Sequence, residues 1–187
     1  MMEAEIERAT VFLQEGKVIL YPTDTIWGLG CDATNEEAVE RIYRIKNRSD
    51  NKSMLVLVAD LEMLKSLLNE VPDAATDIIK NAGKPTTIIY PGARNLARNL
   101  IAGDGTVGIR LTGDPFCRAL IMKSGRALVS TSANASGEPS PANYSEISDS
   151  IVSQTDYVVN WRRNEKRRSQ PSSILKIKSG GGLIKLR

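Results

Sequence analysis

From end to end the chain alternates short apolar runs with amphipathic stretches of helical spacing, and that alternation restricts it to an α/β architecture. Val18-Ile19-Leu20-Tyr21, Met54 to Val58, Thr86 to Tyr90, Thr106 to Leu111, Ala127 to Val129 and Asp156 to Trp161 read as strands. Between them lie helical patterns: Glu3 to Gln14, stopping at Gly16; a helix opened by a Thr34–Glu37 capping box, with Val39, Ile42 and Ile45 on one face; Leu61 to Leu68; Ala74 to Asn81; and Pro115 to Lys123. The tail, Ile174 to Lys178 and Leu183 to Leu186 about Ser179-Gly180-Gly181-Gly182, reads as a hairpin. A mixed sheet is expected in preference to a purely parallel one. With 187 residues and 41% hydrophobic content, a single domain over 1–187 is expected.

Composition narrows the chemistry. There is no histidine, which removes Ser-His-Asp hydrolysis, histidine general-base catalysis and most catalytic zinc sites. Cys31 and Cys117 can make neither a disulfide framework nor a four-ligand zinc site, and the N-terminal pattern is amphipathic and acidic, unlike a signal peptide. No stretch approaches the ~20 apolar residues of a membrane span, so a cytoplasmic protein without a membrane partner is expected. The net charge of +3 suits an anionic ligand without requiring nucleic acid.

Four constellations carry candidate chemistry. Ser130-Thr131-Ser132-Ala133-Asn134 places three hydroxyls and a carboxamide where an apolar strand stops; such a cluster closes a turn or faces a ligand. Thr23-Asp24-Thr25 follows another buried strand and precedes Gly28 and Gly30, where backbone can approach closely; a tight turn capped by Asp24 is the alternative. Lys46 falls on the same helical face as Val39 and Ile42 and so points inward or into a cleft, with Arg48 and Lys52 close behind; the alternative is a cationic last turn complementing the helix dipole. Thr106 and Arg110, four apart on a strand, share a face. Gly103-Asp104-Gly105-Thr106-Val107-Gly108 matches a dinucleotide fingerprint in letters only, because it precedes a strand instead of opening a helix. The run 162–168 packs five cations into seven positions, a solvated loop or a contact for RNA or triphosphate.

Taken together, Tyr21 to Gly30, Lys46-Asn47-Arg48, Thr106 to Arg110 and Ser130 to Asn134 resemble, in order and spacing, the YrdC/TsaC family of threonylcarbamoyl-AMP synthases over almost the whole chain, ending where its short form ends. The resemblance implies a twisted mixed sheet with flanking helices around a large positively charged cavity. It implies a nucleotidyltransferase that forms threonylcarbamoyl-AMP and pyrophosphate from L-threonine, bicarbonate and ATP, with Mg2+ accompanying ATP, for threonylcarbamoyladenosine formation in tRNA by partner proteins. No protein-held metal site is implied. The family's ATP contacts carry over onto Arg48, Lys52, Thr106, Ser132, Ser140 and Arg187, and its threonine contacts onto Thr25, Arg110, Ser130 and Ser172. Lys46 and Arg48 are assigned to developing phosphate charge, and Ser132 and Asn134 to orienting nucleotide and carbamate. Trp27 stands where Tyr is usual, and Leu57 where some members carry a threonine-binding His. The alternatives are a non-catalytic module binding tRNA or double-stranded RNA directly, and a carbamoyl-transfer relative with another acceptor.

Overall fold

The computed structural model describes residues 1–47, 54–166, 170–178 and 182–187. Along the chain run α1 (Met2–Gln14), β1 (Ile19–Tyr21), β2 (Gly28–Gly30), α2 (Glu36–Ile45), β3 (Leu55–Val58), α3 (Leu61–Ser66), α4 (Asp73–Asn81), β4 (Thr86–Tyr90), β5 (Val107–Leu111), α5 (Pro115–Ser124), β6 (Leu128–Ser132), α6 (Asp149–Ser153), β7 (Tyr157–Val158), β8 (Ser173–Ile177) and β9 (Leu183–Lys185). Among the described residues the strands form one sheet in the order β7-β1-β2-β6-β3-β5-β4-β8-β9. It is mixed: β3–β5, β1–β7 and β4–β8 pair in parallel, the others antiparallel.

Because side chains alternate along a strand, the registers sort the sheet into two faces. One face carries Leu20, Leu29, Val129, Val56, Val58, Ile109 and Ile88, which join Val39, Ile42, Tyr43 and Ile45 of α2 in the larger core. On the other, Ile19, Tyr21, Leu57 and Leu128 are covered by Ile6, Ala9 and Leu13 of α1 and Phe116, Leu120 and Ile121 of α5. These two helices cover only that part of the second face. The rest of it, running from Gly28 through Ser130, Ser132, Leu55, Gly108 and Arg110 to Thr87, Ile89, Ile174 and Lys176, is left as the floor of a cavity.

Local signals place the helices. Asp114 caps α5, its carboxylate accepting the Cys117 N–H at 2.9 Å, Pro115 opens the helix, and Gly125 at φ +67° closes it. The start of α2 differs from the expected capping box: Asn35, not Thr34, is the cap and accepts from Ala38 N at 3.0 Å. Thr34 is already committed, its N–H and hydroxyl both donating to the Asp32 carboxylate at 2.8 Å. The strand expected over Asp156 to Trp161 shortens to Tyr157–Val158, since side chains take its flanking backbone groups: Arg163 bonds the Val158 and Val159 carbonyls, and Glu5 the Asn160 N–H. Glu5, buried within α1, also accepts the Tyr157 hydroxyl at 2.6 Å, and burial with this carboxylate pushes that phenol up to about 12. Two further differences shape the site. Gly28–Gly30, to which the sequence pattern assigns no element, is a strand, and β6 continues past Val129 through Ser132, so the hydroxyl run lies in the sheet instead of beyond it.

Candidate functional site

The cavity has a volume of about 480 Å3. Its size follows from two kinds of residue on one sheet face. Gly28 and Gly108 project no side chain into it, and Ser130, Ser132 and Thr87 project short hydroxyls where the covered part of the face carries Leu and Tyr. Among the described lining residues three are cationic, Arg110, Lys176 and Arg187, and one is acidic, Asp104.

At one end lie Thr25, Arg110, Ser130, Thr87 and Ser172. Arg110 is 2% exposed; its Nη2 is 3.0 Å from Asp24 Oδ1 and its Nη1 donates to Thr25 Oγ1 at 3.2 Å. Thr25 is held in turn by Thr23, hydroxyl to hydroxyl at 2.9 Å, with its own N–H donating to Thr23 Oγ1 at 3.0 Å. Thr87 on β4 and Ser172, the residue just before β8, share a hydrogen bond of 2.8 Å, so each fixes the other's hydroxyl. Burial raises the Asp24 carboxyl above the usual range, Arg110 opposes the rise and Asp114 adds to it.

The strand registers set Thr106, Ser132 and Lys176 toward the other end of this floor, and Ser140 and Arg187 also line the cavity. Asp104 organises this rim: it accepts the Thr106 N–H at 3.1 Å and hydroxyl at 2.6 Å, and pairs with Lys176 at 2.8 Å. Those contacts, Lys176 first, lower its carboxyl to about 2, so this carboxylate stays ionised across any ordinary assay pH. Arg187 donates from Nε to Ser172 O at 3.0 Å, and its backbone bonds to Ile174 from both sides, which ties the C-terminal residue to the cavity edge.

Of the sequence candidates, the structure brings Thr25, Thr106, Arg110, Ser130, Ser132, Ser140, Ser172 and Arg187 together around one cavity, from widely separated stretches of chain. Lys46 and Asn134 are not among its lining residues. The Lys46 ammonium is buried, and it donates to the Ser132 carbonyl and, at 2.5 Å, to that of Asn134. Lys46 thus ties the end of α2 to the backbone of the Ser-x-Asn segment, which gives the co-occurrence of the two motifs a physical reason. The Asn134 amide donates to Ala135 O and Glu138 O and shapes the following loop. Arg48 and Lys52 lie outside the described residues. Leu57 is fully buried under α1 and α5.

Sequence reasoning missed Thr87 and Gly108 as floor residues; the alternation that would reveal them needs the register of three strands, β4, β5 and β8. The basic run resolves partly into internal contacts. Arg162 donates to Thr23 O at 3.2 Å and pairs with Asp114 at 2.8 Å, while Arg163 bonds the Val158 and Val159 carbonyls and lies over the Tyr144 ring at 5.2 Å. Arg167 and Arg168 lie outside the described residues. Among the described residues no cluster of His, Cys, Asp and Glu is arranged to hold a metal ion, and no helix is long and apolar enough to cross a membrane.

Known proteins resemble this chain in sequence and in fold. The Sua5–YciO–YrdC family, described as telomere recombination, matches residues 11–187. A threonylcarbamoyl-AMP synthase of Pseudoalteromonas translucida is 32% identical over 95% of this chain and 96% of its own length, and one of Bacillus subtilis is 34% identical over 80% of this chain. Pyrococcus abyssi Sua5, solved in complex with L-threonine, superposes with a TM-score of 0.90 at 29% identity over 99% of this chain; Escherichia coli YciO does so at 0.85 and 26%. This chain spans about half of the Pyrococcus and Bacillus proteins, 54% and 44% of their lengths. With a family match over residues 11–187, a relative 32% identical over nearly the whole chain and the same fold, the chain belongs to the Sua5–YciO–YrdC family.

Proposed function

We propose that this chain is a threonylcarbamoyl-AMP synthase, a nucleotidyltransferase that joins L-threonine, bicarbonate and ATP and releases pyrophosphate. The observation that carries the reading is the cavity floor itself, where residues matching the family's threonine contacts and residues matching its ATP contacts line one space. Ser130 and Ser132 stand on one face of β6 two residues apart, about 7 Å by strand geometry, so the two subsites are neighbours on a rigid strand.

The chemistry asks little of acid–base groups. Threonine's amine captures bicarbonate as a carbamate, with water leaving; a carbamate oxygen then attacks the α-phosphorus and pyrophosphate departs. Every partner in that second step is anionic, so catalysis reduces to positioning and charge neutralisation, which a histidine-free site can perform. Arg110, with Thr25, Ser130 and Ser172, receives the amino acid; Thr106, Ser132, Ser140 and Arg187 receive the nucleotide. Bound together with ATP, Mg2+ would supply charge neutralisation on the phosphates. The one carboxylate in the described lining, Asp104, is engaged by Lys176 and Thr106, a donor set that suits a metal carried chiefly by phosphate oxygens and water. The product would pass to tRNA-modifying partner proteins in the cytoplasm. A reading as an RNA-binding module is weaker, because two of the cations in 162–168 are spent on internal contacts.

The test is pyrophosphate release by the purified protein: turnover should require threonine, bicarbonate, ATP and Mg2+ together, and ATP consumption indifferent to threonine would overturn the proposal. Gly108→Val is an independent check. A Cβ there meets only ordinary contacts, the nearest being Thr87 Cγ2 at 3.4 Å, and Val suits a strand, so folding should survive while the isopropyl group occupies the floor. Threonine-dependent turnover should fall about 100-fold or more with an unchanged melting temperature, a loss of roughly 2.7 kcal/mol of transition-state stabilisation.

A further inference from the structure

Nothing in the synthase reading uses Asp24, although the chain spends a partly desolvated carboxylate on it. A guanidinium is always charged in proteins, and one only 2% exposed, as in Arg110, requires a counter-charge. Asp24, 3.0 Å away, supplies one. Asp24 does not line the cavity; it lines a separate surface groove together with Thr112, Gly113 and Arg118. It therefore stands behind the cavity wall, with Arg110 between it and the ligand space. Both described contacts of Arg110, an ion pair with Asp24 and a hydrogen bond to Thr25, come from the turn joining β1 to β2; Asp24 Oδ1 and Arg110 Nε are each buried without a hydrogen-bond partner, so Asp24 acts on the fork as a charge. A planar fork held along one edge presents its remaining N–H groups in a fixed plane, the arrangement that suits a bidentate carboxylate.

The surroundings protect this pairing. Asp114, the second carboxylate acting on Asp24, is itself engaged by Arg162 at 2.8 Å and by the Cys117 N–H. Arg162 adopts φ +59°, rare for a residue with a side chain, and is held there by Thr23 O, Asp114 and Glu165. The first residue of the basic run is thus part of the frame behind the amino-acid pocket.

Resting on the synthase reading, we propose that Asp24 is a positioning residue for that pocket: paired with Arg110 behind the wall, it fixes the plane in which the guanidinium receives the amino acid's carboxylate. The experiment measures L-threonine and ATP binding by calorimetry, with KM and kcat for pyrophosphate release, in wild type, Asp24→Asn, Arg110→Met and the double variant. Asp24→Asn should weaken threonine binding about tenfold or more and raise its KM in step, while ATP affinity stays within about twofold. Once Arg110 is gone, the Asp24 change should have no further effect on threonine, because the residue acts only through Arg110. Additive losses, or equal losses for both substrates, would mean a merely structural role and overturn the proposal, as would threonine binding at the wild-type level. Should Asp24→Asn fail to fold, Asp24→Glu keeps the charge one methylene displaced; it should give the same threonine-selective loss, and wild-type threonine affinity in it overturns the proposal. A wild-type protein that binds no threonine overturns the synthase reading and this inference with it.

Discussion

Lys46→Met is expected to lose at least about 30-fold in kcat/KM for threonine-dependent pyrophosphate release, roughly 2 kcal/mol of transition-state stabilisation or more. Methionine keeps the aliphatic stem in the core under α2 but donates nothing. The Ser132 and Asn134 carbonyls would then lose a charge-assisted donor in a place where water reaches poorly, at about 1–3 kcal/mol for each one left unsatisfied. Ser132 lines the cavity, so the strand end that presents its hydroxyl would shift with its carbonyl. Steady-state kinetics with a parallel thermal melt checks this: wild-type turnover in Lys46→Met would show that the tether between α2 and the Ser-x-Asn segment has no part in catalysis. The same tether explains why a lysine on the apolar face of α2 neither snorkels outward nor meets the cavity directly.

Gly30→Ala should damage the fold instead of the chemistry. A Cβ at Gly30 would sit 2.5 Å from the Val129 carbonyl oxygen and 2.6 Å from Tyr21 Cε1. Neither neighbour can yield cheaply, because one is backbone of β6 and the other a ring fully buried under α1 and α5. The short strand β2 would have to move away from β1 and β6, at about 3 kcal/mol, the upper end for overpacking. That corresponds to a melting temperature lower by roughly 6–12 °C for a chain of this size. Differential scanning calorimetry checks it, and a shift below about 2 °C would contradict the close packing of β2.

The elements legible in the sequence are those whose signal is local. Helix α5 has its Asp cap, Pro at the first position and Gly at the end, and its observed span, Pro115–Ser124, differs from the expected one by a single residue. Strands β3, β4 and β5 are apolar runs with clear flanks. Strand β2 was illegible because three residues, two of them glycine, carry no alternation worth reading, and only pairing with Tyr21 on one side and Ser132 on the other makes Gly28 a strand residue. Strand β6 was cut short for a related reason: Ser130, Thr131 and Ser132 look like a strand end until the neighbouring Leu55 and Gly28 supply partners. The site followed the same division. The hydroxyls, Arg110 and Lys46 stood out as residue types in unusual places, whereas Asp24 behind Arg110 and Thr87 against Ser172 exist as pairs only after the sheet forms. Arg162 reads as one charge in a basic run, and its partners, Thr23 and Asp114, lie 139 and 48 residues away.

The central claim, that threonine and nucleotide react across one sheet face, is tested most directly by the product. Incubated with ATP, Mg2+, L-threonine and 13C-bicarbonate, the protein should yield by mass spectrometry an adduct of AMP and threonine joined through one labelled carbon, with one pyrophosphate released per adduct. AMP or ADP formed at the same rate without threonine, or an adduct carrying no label, would contradict the account.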